Sequence, residues 1–367
     1  MKILHFLDSL SRGGAETQAL DVCRNAADFG FEMTVVTAQG GVLEQEFADS
    51  GAEFIRLNRK LPVDIYLASQ LRKIIKEREI EVVQGYQAVD GLHLYLATRG
   101  LKNVKKVLSF QGGTIYDWKN RRTLLFLISR MDANIVVSEG LKEYHRTFDG
   151  FDTKNFTVIY NGADTKRLEP SGKSLRGELG LDEKTLLVGM VGNFYREERK
   201  DQLTICKALP KVFAEFDNVH CVFAGRIEPG GEDRFADCLN FCIENNLIER
   251  VHFLGGRSDI PDILSALDVF VLSSLREGLP VAVSEAMLAE VPLILSDIAP
   301  LLEVSNEGNC AEIFPVGNAD ELAEKMLKLL RNKDLRNSLA NRASEFARKN
   351  FSIEAHLQKL KNLYETF

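Results

Sequence analysis

What this sequence lacks is as informative as what it holds. No D-x-D triplet is present, and the six histidines show neither H-x3-H nor H-E-x-x-H spacing, so no protein-bound metal is expected to sit against a diphosphate. No G-x-G-x-x-G turn occurs, which argues against a nicotinamide oxidoreductase. Long apolar runs are also missing. The most apolar late stretch, Gly278 to Ser296, is broken by Glu285, Glu290 and Pro292 and does not read as a membrane span. The opening Met1-Lys2-Ile3-Leu4-His5-Phe6-Leu7-Asp8 is too short for a secretory core and reads as a strand, so a cytoplasmic protein is expected, either free or peripheral on the inner face of the membrane. The formal charge of -7 leaves no general basic surface for nucleic acid. Cysteine is scarce and scattered (Cys23, Cys206, Cys221, Cys238, Cys242, Cys310), which predicts buried or half-buried thiols rather than a disulfide framework.

A chain of 367 residues, 45% hydrophobic and 27% charged, has room for two ordinary domains and no low-complexity linker. Short β-rich runs alternate with amphipathic helical patterns almost throughout, which predicts α/β architecture with parallel sheets and crossover helices. The first series of strands lies near 2–8, 32–37, 53–57, 81–85, 106–110, 133–137 and 156–160. After Asn161-Gly162-Ala163-Asp164 and the polar Glu169 to Ser174, a second series opens at Leu186 to Gly192 and continues near 219–224, 250–254, 268–272, 292–296 and 311–314. Two Rossmann-like domains facing across a cleft are therefore expected. The first spans 1–165, with a helix at about 351–367 packing back on it, and the second spans 170–350.

The segment with most chemistry is Val269 to Met287, a buried strand leading into Arg276-Glu277-Gly278-Leu279-Pro280-Val281 and on to Glu285. Gly278 permits an unusual turn and Pro280 suits the first helical position, so free N–H groups near Leu279 to Ala282 would receive an anion such as a diphosphate. Glu277 and Glu285 would repel phosphates but can accept hydrogen bonds from sugar hydroxyls, which points to a nucleotide sugar. If fully helical, their eight-residue spacing would span roughly 12 Å, too far for a hydrolase carboxyl pair. Cations for the phosphates are offered by the loop Gly192-Asn193-Phe194-Tyr195-Arg196-Glu197-Glu198-Arg199-Lys200, with Lys200 expected to open the next helix and the choice between Arg196 and Arg199 open. The first loop of the chain, Ser9-Leu10-Ser11-Arg12-Gly13-Gly14-Ala15-Glu16, offers flexible backbone that a ligand can approach.

Taken in order, Gly13-Gly14-Ala15-Glu16, Val158 to Asp164, Val191-Gly192-Asn193-Phe194 with Lys200, Val251-His252-Phe253-Leu254-Gly255 and the E-x7-E block from Glu277 to Glu285 resemble the family-four retaining glycosyltransferases over nearly the whole chain. The resemblance implies a GT-B fold, a UDP-, GDP- or ADP-sugar donor with UDP-sugar favoured, no cofactor or essential metal, and retention of anomeric configuration. It places Glu277 by the donor sugar and Glu285 on the ribose hydroxyls. It puts Arg196 and Lys200 on the diphosphate with Asn193 beside them, Gly14 nearby, Gly278, Leu279, Pro280 and Val281 around the donor, and Gly256, Arg257 and Ser258 at the nucleobase. Two positions depart from the pattern. Gln111, followed by Gly112-Gly113, stands where many members carry a histidine that contacts the transferred sugar, and Asn193 stands where an arginine is common, so that Arg196 becomes its substitute.

The implied activity is transfer of a hexosyl or N-acetylhexosaminyl group to a glycan or lipid-linked glycan, as in polysaccharide biosynthesis, by front-face substitution. Glu277, Gln111, Arg196 and Lys200 are the candidate catalytic residues, and closure about a hinge near Asn161 to Pro170 would exclude water. A sugar-nucleotide epimerase of the same fold and a non-catalytic nucleotide-sugar-binding subunit are the alternatives. Positions 99–146 hold ten Lys/Arg and four Asp/Glu, a local excess of 10 − 4 = +6, and Lys119 to Arg130 joins basic residues to an apolar run. That region is a candidate peripheral contact with anionic membrane, set against an ordinary crossover helix with a charged start.

Overall fold

A computed structural model describes residues 1–11, 13–112 and 117–367. Arg12 of the first loop and Gly113 after Gln111 lie outside the described residues. The chain divides into two compact units, Met1–Ala163 joined by Ile353–Phe367, and Asp164–Ser352.

The first unit is built on seven parallel strands: β1 (Lys2–Leu7), β2 (Glu32–Thr37), β3 (Glu53–Arg56), β4 (Val82–Gly85), β5 (Lys105–Phe110), β6 (Ala133–Val136) and β7 (Phe156–Val158), in the order β3-β2-β1-β4-β5-β6-β7. The strands are runs of Ile, Leu, Val and Phe because helices cover both faces, and β1 is buried from Ile3 to Leu7. The chain reverses its winding between β1 and β4, which leaves a crevice at their carboxyl ends.

The second unit repeats the plan with β8 (Leu186–Val191), β9 (Val219–Ala224), β10 (Val251–Gly255), β11 (Val269–Leu272), β12 (Leu293–Ser296) and β13 (Glu312–Phe314), ordered β10-β9-β8-β11-β12-β13. Its switch point lies between β8 and β11, which pair through Val188–Val269 and Gly189–Phe270. The loops after these two strands are the cationic loop and the E-x7-E loop singled out in the sequence. Glycine lets the neighbouring loops close in. A Cβ on Gly225 would lie 2.1 Å from the Gly192 carbonyl oxygen, and one on Gly256 would lie 2.2 Å from Cγ of Arg226.

The C-terminal helix Ile353–Tyr364 belongs to the first unit, where Ile353, Leu357, Leu360 and Tyr364 join the core with Ile3, Val82 and Ile135. A buried polar network accompanies it. The Tyr86 hydroxyl meets His5 Nδ1 at 2.9 Å, His356 Nδ1 donates to the Tyr160 carbonyl at 2.7 Å, and the Tyr364 hydroxyl donates to Gln84. Burial holds His5 down to about 3 and His356 to about 4, so both rings are neutral in the folded protein. All six cysteines are free and buried.

Candidate functional site

Two loops of the second unit are laced together, and the lacing brings its key side chains into contact. After β8, the amide of Phe194 donates to the Arg226 carbonyl at 2.8 Å, and Phe194 itself is buried with its ring edge-on to Phe235. Further along, the Leu275 amide donates to the Arg199 carbonyl at 2.8 Å and the Asp201 amide to the Ser273 carbonyl at 3.0 Å, with an antiparallel bridge between Lys200 and Ser274. Asp201 then caps the helix Gln202–Glu215 by accepting from the Thr204 amide. Lys200 is thus drawn into the bridge just before the helix rather than opening it, because its backbone pairs with a strand end from another part of the chain.

This backbone arrangement sets Lys200 Nζ 2.5 Å from Glu277 Oε1, with side-chain exposures of only 11% and 6%. Glu277 also accepts from Ser274 Oγ at 2.8 Å. Ser274 is itself clamped at both backbone groups by Ser296 at the end of β12. Its amide donates to Ser296 Oγ at 3.0 Å and its carbonyl accepts from the same hydroxyl at 2.8 Å. Neither serine stood out in the sequence, where Ser-Ser at a strand end is an ordinary pattern. A carboxylate and an amine paired this deeply form a polar floor on which a hydroxyl and a phosphate can both be bound.

Gly278, Leu279 and Pro280 carry the chain from this pair to the helix Val281–Leu288. Pro280, expected as the first helical residue, is extended (φ −72°, ψ 115°) and stands immediately before it, so Val281 opens the helix. The first turn leaves N–H groups without intrahelical acceptors, as an anion site requires. One turn in, Glu285 is buried and meets Arg167 at 2.6 Å. Sequence reading missed Arg167, which lies 118 positions away. Also buried here without hydrogen-bond partners among the described residues are Arg276 Nε and Ser284 Oγ.

The remaining candidates are distributed less tightly. Asn193 uses its whole amide on its own loop system, Oδ1 accepting from the Arg226 amide at 3.0 Å and Nδ2 donating to Glu228 at 2.8 Å. Arg196 is exposed and runs along Gly230, whereas Arg199 lies over the Tyr195 ring at 5.0 Å. Arg257 is bound bidentately to Glu178 (2.7 and 2.8 Å) and to Asp259 (2.8 and 2.6 Å), and these carboxylates hold its guanidinium well above the usual arginine range. Arg257 therefore braces the loop after β10, with Gly256 packed on Arg226 and Ser258 following, all within the second unit.

Gly14 and Gln111 belong to the first unit. Gly14 is the exposed first residue of the helix Gly14–Asn25 after β1, and Glu16 in that turn accepts from Ser11 Oγ at 3.2 Å. Gln111 follows β5. Its Nε2 donates to Ser109 Oγ at 2.8 Å, and its buried Oε1 has no hydrogen-bond partner among the described residues. Nearby, Asp90 accepts from the amides of Asp8 and Tyr86, joining the ends of β1 and β4, and its complete burial lifts it to about 8.

Doubly wound sheets with a cation, an acid and a helix start gathered at a switch point define an α/β enzyme of the nucleotide-handling class. Comparison with known proteins makes this specific. Residues 172–346 match the family model "Glycosyl transferases group 1" and residues 12–167 match "Glycosyltransferase Family 4". The chain belongs to this glycosyltransferase family and is a glycosyltransferase. A lipopolysaccharide core biosynthesis mannosyltransferase from Rhizobium meliloti is 30% identical over 246 residues, 66% of this chain and 67% of that one. The UDP-Gal:alpha-D-GlcNAc-diphosphoundecaprenol alpha-1,3-galactosyltransferase of Escherichia coli is 25% identical over 363 residues, 91% and 89% of the two chains. Among solved structures, Anabaena HepE in complex with UDP and glucose superposes with a TM-score of 0.85 at 20% identity, covering 100% of both chains. The fold is that of the GT-B glycosyltransferases, and family membership favours transfer over the epimerase and binding-subunit alternatives.

Proposed function

We propose that the protein transfers a hexosyl or N-acetylhexosaminyl group from a nucleoside diphosphate sugar, a UDP-sugar ahead of GDP- or ADP-sugars, to a glycan or lipid-linked glycan with retention of configuration and without a metal cofactor. The observation that carries the reading is the Lys200–Glu277 pair, set beside the opening of Val281–Leu288 at the switch point of the second sheet. In this reading the diphosphate lies over the first helical turn and draws the Lys200 ammonium to its leaving oxygens, with Arg196 or Arg199 as a second cation. Glu277 accepts from a hydroxyl of the transferred sugar, and Glu285 from the ribose. The loop of Gly256, Arg257 and Ser258 serves the base, with Arg257 as its brace. Gly14 gives close backbone approach, and Gln111 directs its unpartnered carbonyl oxygen to a hydroxyl. The leaving phosphate takes the acceptor proton on the face it departs from, and surrounding dipoles stabilise the oxocarbenium-like state.

The donor preference draws on the Escherichia coli relative, named for UDP-Gal, and on the HepE structures with UDP and UDP-glucose. A thermal-shift screen with UDP, GDP and ADP and their sugars, followed by product analysis on lipid-linked and free glycans, tests the reading. The expected result is stabilisation by one nucleotide series and a retained glycoside. Donor conversion without any acceptor would instead support an epimerase.

For the acceptor, the same Escherichia coli relative and a Campylobacter jejuni relative are named for diphosphoundecaprenol-linked substrates. Among the described residues no helix is long and apolar enough to cross a membrane. The helix Trp118–Ile128 instead exposes Trp118 (66%), Leu125 (39%) and Phe126 (40%) next to exposed Lys119 and Arg122. Beyond its end lies a cavity of about 290 Å³ lined by Tyr95, Arg99, Lys102, Lys106 and Arg130. An apolar stripe flanked by cations suits the surface of an anionic membrane. In liposome flotation, the K119E/R122E variant should lose binding to anionic vesicles while neutral vesicles recover neither protein. Equal binding of both proteins to both vesicle types would exclude this contact.

A further inference from the structure

Arg167 holds Glu285, the acid assigned above to the ribose. It follows the unit boundary closely and stands in a short 3-10 turn, Lys166–Leu168, that is fixed from both ends. Asp164 accepts from the Lys166 amide at 2.9 Å through its side chain and from the Arg167 amide at 3.1 Å through its carbonyl, while Leu168 is buried. The turn aims the guanidinium at Glu285, Nη2 to Oε1 at 2.6 Å, with side-chain exposures of 20% and 8%. A planar guanidinium fixes the orientation of the carboxylate it meets, where an ammonium offers only a point charge. Glu285 Oε1 is engaged by this bond, which fixes how the carboxylate is turned.

We propose that Arg167 is a positioning residue for ribose recognition. By clamping Glu285 Oε1 it keeps the carboxylate turned so that the remaining acceptor sites take hydrogen bonds from the vicinal 2′- and 3′-hydroxyls of the donor nucleoside. Arg167 thereby makes the site selective for ribonucleotides over deoxyribonucleotides without touching the ligand. The inference rests on the assignment of Glu285 to the ribose, and the experiment separates the two.

Binding of the matched pairs UDP/2′-deoxy-UDP, GDP/2′-deoxy-GDP and ADP/2′-deoxy-ADP is measured by calorimetry on the full-length wild type, Arg167→Lys, Arg167→Gln, Glu285→Ala and the Arg167→Gln/Glu285→Ala double variant. In the tightest-binding pair the wild type should prefer the ribonucleotide by about tenfold or more, the worth of a hydrogen bond to a charged group. Arg167→Gln should weaken the ribonucleotide by about that factor and change the deoxynucleotide less than about twofold, since only one of the two ligands uses the oriented carboxylate. Arg167→Lys should fall between, and the double variant should match Glu285→Ala. A wild type without ribose preference, or a Glu285→Ala variant that keeps it, overturns the Glu285 assignment and this inference together. Discrimination lost in Glu285→Ala but kept in both Arg167 variants overturns the role of Arg167 alone, as does an equal weakening of both nucleotides.

Discussion

At the scale of single residues, the candidate donor site is a set of buried acids and cations that neutralise one another. Glu277 binds Lys200 and Ser274, and Glu285 binds Arg167. If Glu277 acts on the transferred sugar and Glu285 on the ribose, their substitutions separate kinetically. Glu277→Ala should lower kcat by about a hundredfold, in the range of lost transition-state contacts, and leave the nucleotide Kd within a few fold. Glu285→Ala should raise the Kd about tenfold with a smaller effect on kcat. Steady-state kinetics with nucleotide calorimetry on both variants checks this, and small equal effects would remove the E-x7-E block from the mechanism. If Lys200 meets the diphosphate as proposed, Lys200→Ala should cost more than either in kcat/KM, about a hundredfold to a thousandfold, because it removes that cation and leaves Glu277 buried with one partner fewer.

At the scale of elements, the strand ends position these side chains, and Ser296 is the joint that holds them. Its hydroxyl closes both the amide and the carbonyl of Ser274, tying the chain two residues past β11 to the last residue of β12. Ser296→Ala strips two buried backbone groups of their partner. It should therefore destabilise the second unit by about 1–3 kcal/mol and lower kcat by loosening Glu277, with little change in donor Kd. Denaturant titration together with kcat and KM decides, and unchanged kcat would make the clamp purely structural. The strands and helices that create these ends were legible in the sequence, since buried parallel strands are apolar runs and their loops carry the glycines. The exact helix starts and the side-chain partners were not. Lys200 falls just outside its helix because Asp201 caps that helix and a bridge to Ser274 holds the chain extended, and Pro280 stands in extended backbone just before Val281. Arg167, Ser274 and Ser296 are invisible to local pattern, since their roles exist only when segments distant in sequence meet. Arg257 shows the converse, a sequence candidate whose charge is taken up by Glu178 and Asp259.

At the scale of the whole molecule, the two units carry different levers, and this yields a test that reads both at once. The neutral pair His5 and His356 lies in the first unit, held at about 3 and about 4 by burial against an unfolded value of 6.5. Between those values the unfolded chain binds more protons. The stability these rings contribute is therefore complete above pH 6.5 and drains away as pH falls toward 4, at about 1.4 kcal/mol per pH unit for each proton. Asp90, also in the first unit, has the opposite sign. Raised from 3.8 to about 8, it favours the folded state below pH 3.8 and loses that contribution as pH rises through 8. Two histidines against one acid leave a net loss on acidification of the first unit. If the donor binds as proposed, the second unit responds to nucleotide instead, gaining about 2.7 kcal/mol at a concentration of a hundred times Kd. Hydrogen exchange read by segment should show protection at β1, β4 and Ile353–Tyr364 falling between pH 6.5 and 4.5, with the H5N/H356N variant losing or reversing that slope. The stabilising nucleotide should protect 192–201 and 273–288 at either pH. Acid sensitivity unaffected by the double variant would show that groups other than these rings set it, and nucleotide protection confined to the first unit would move the donor site away from Lys200 and Glu277.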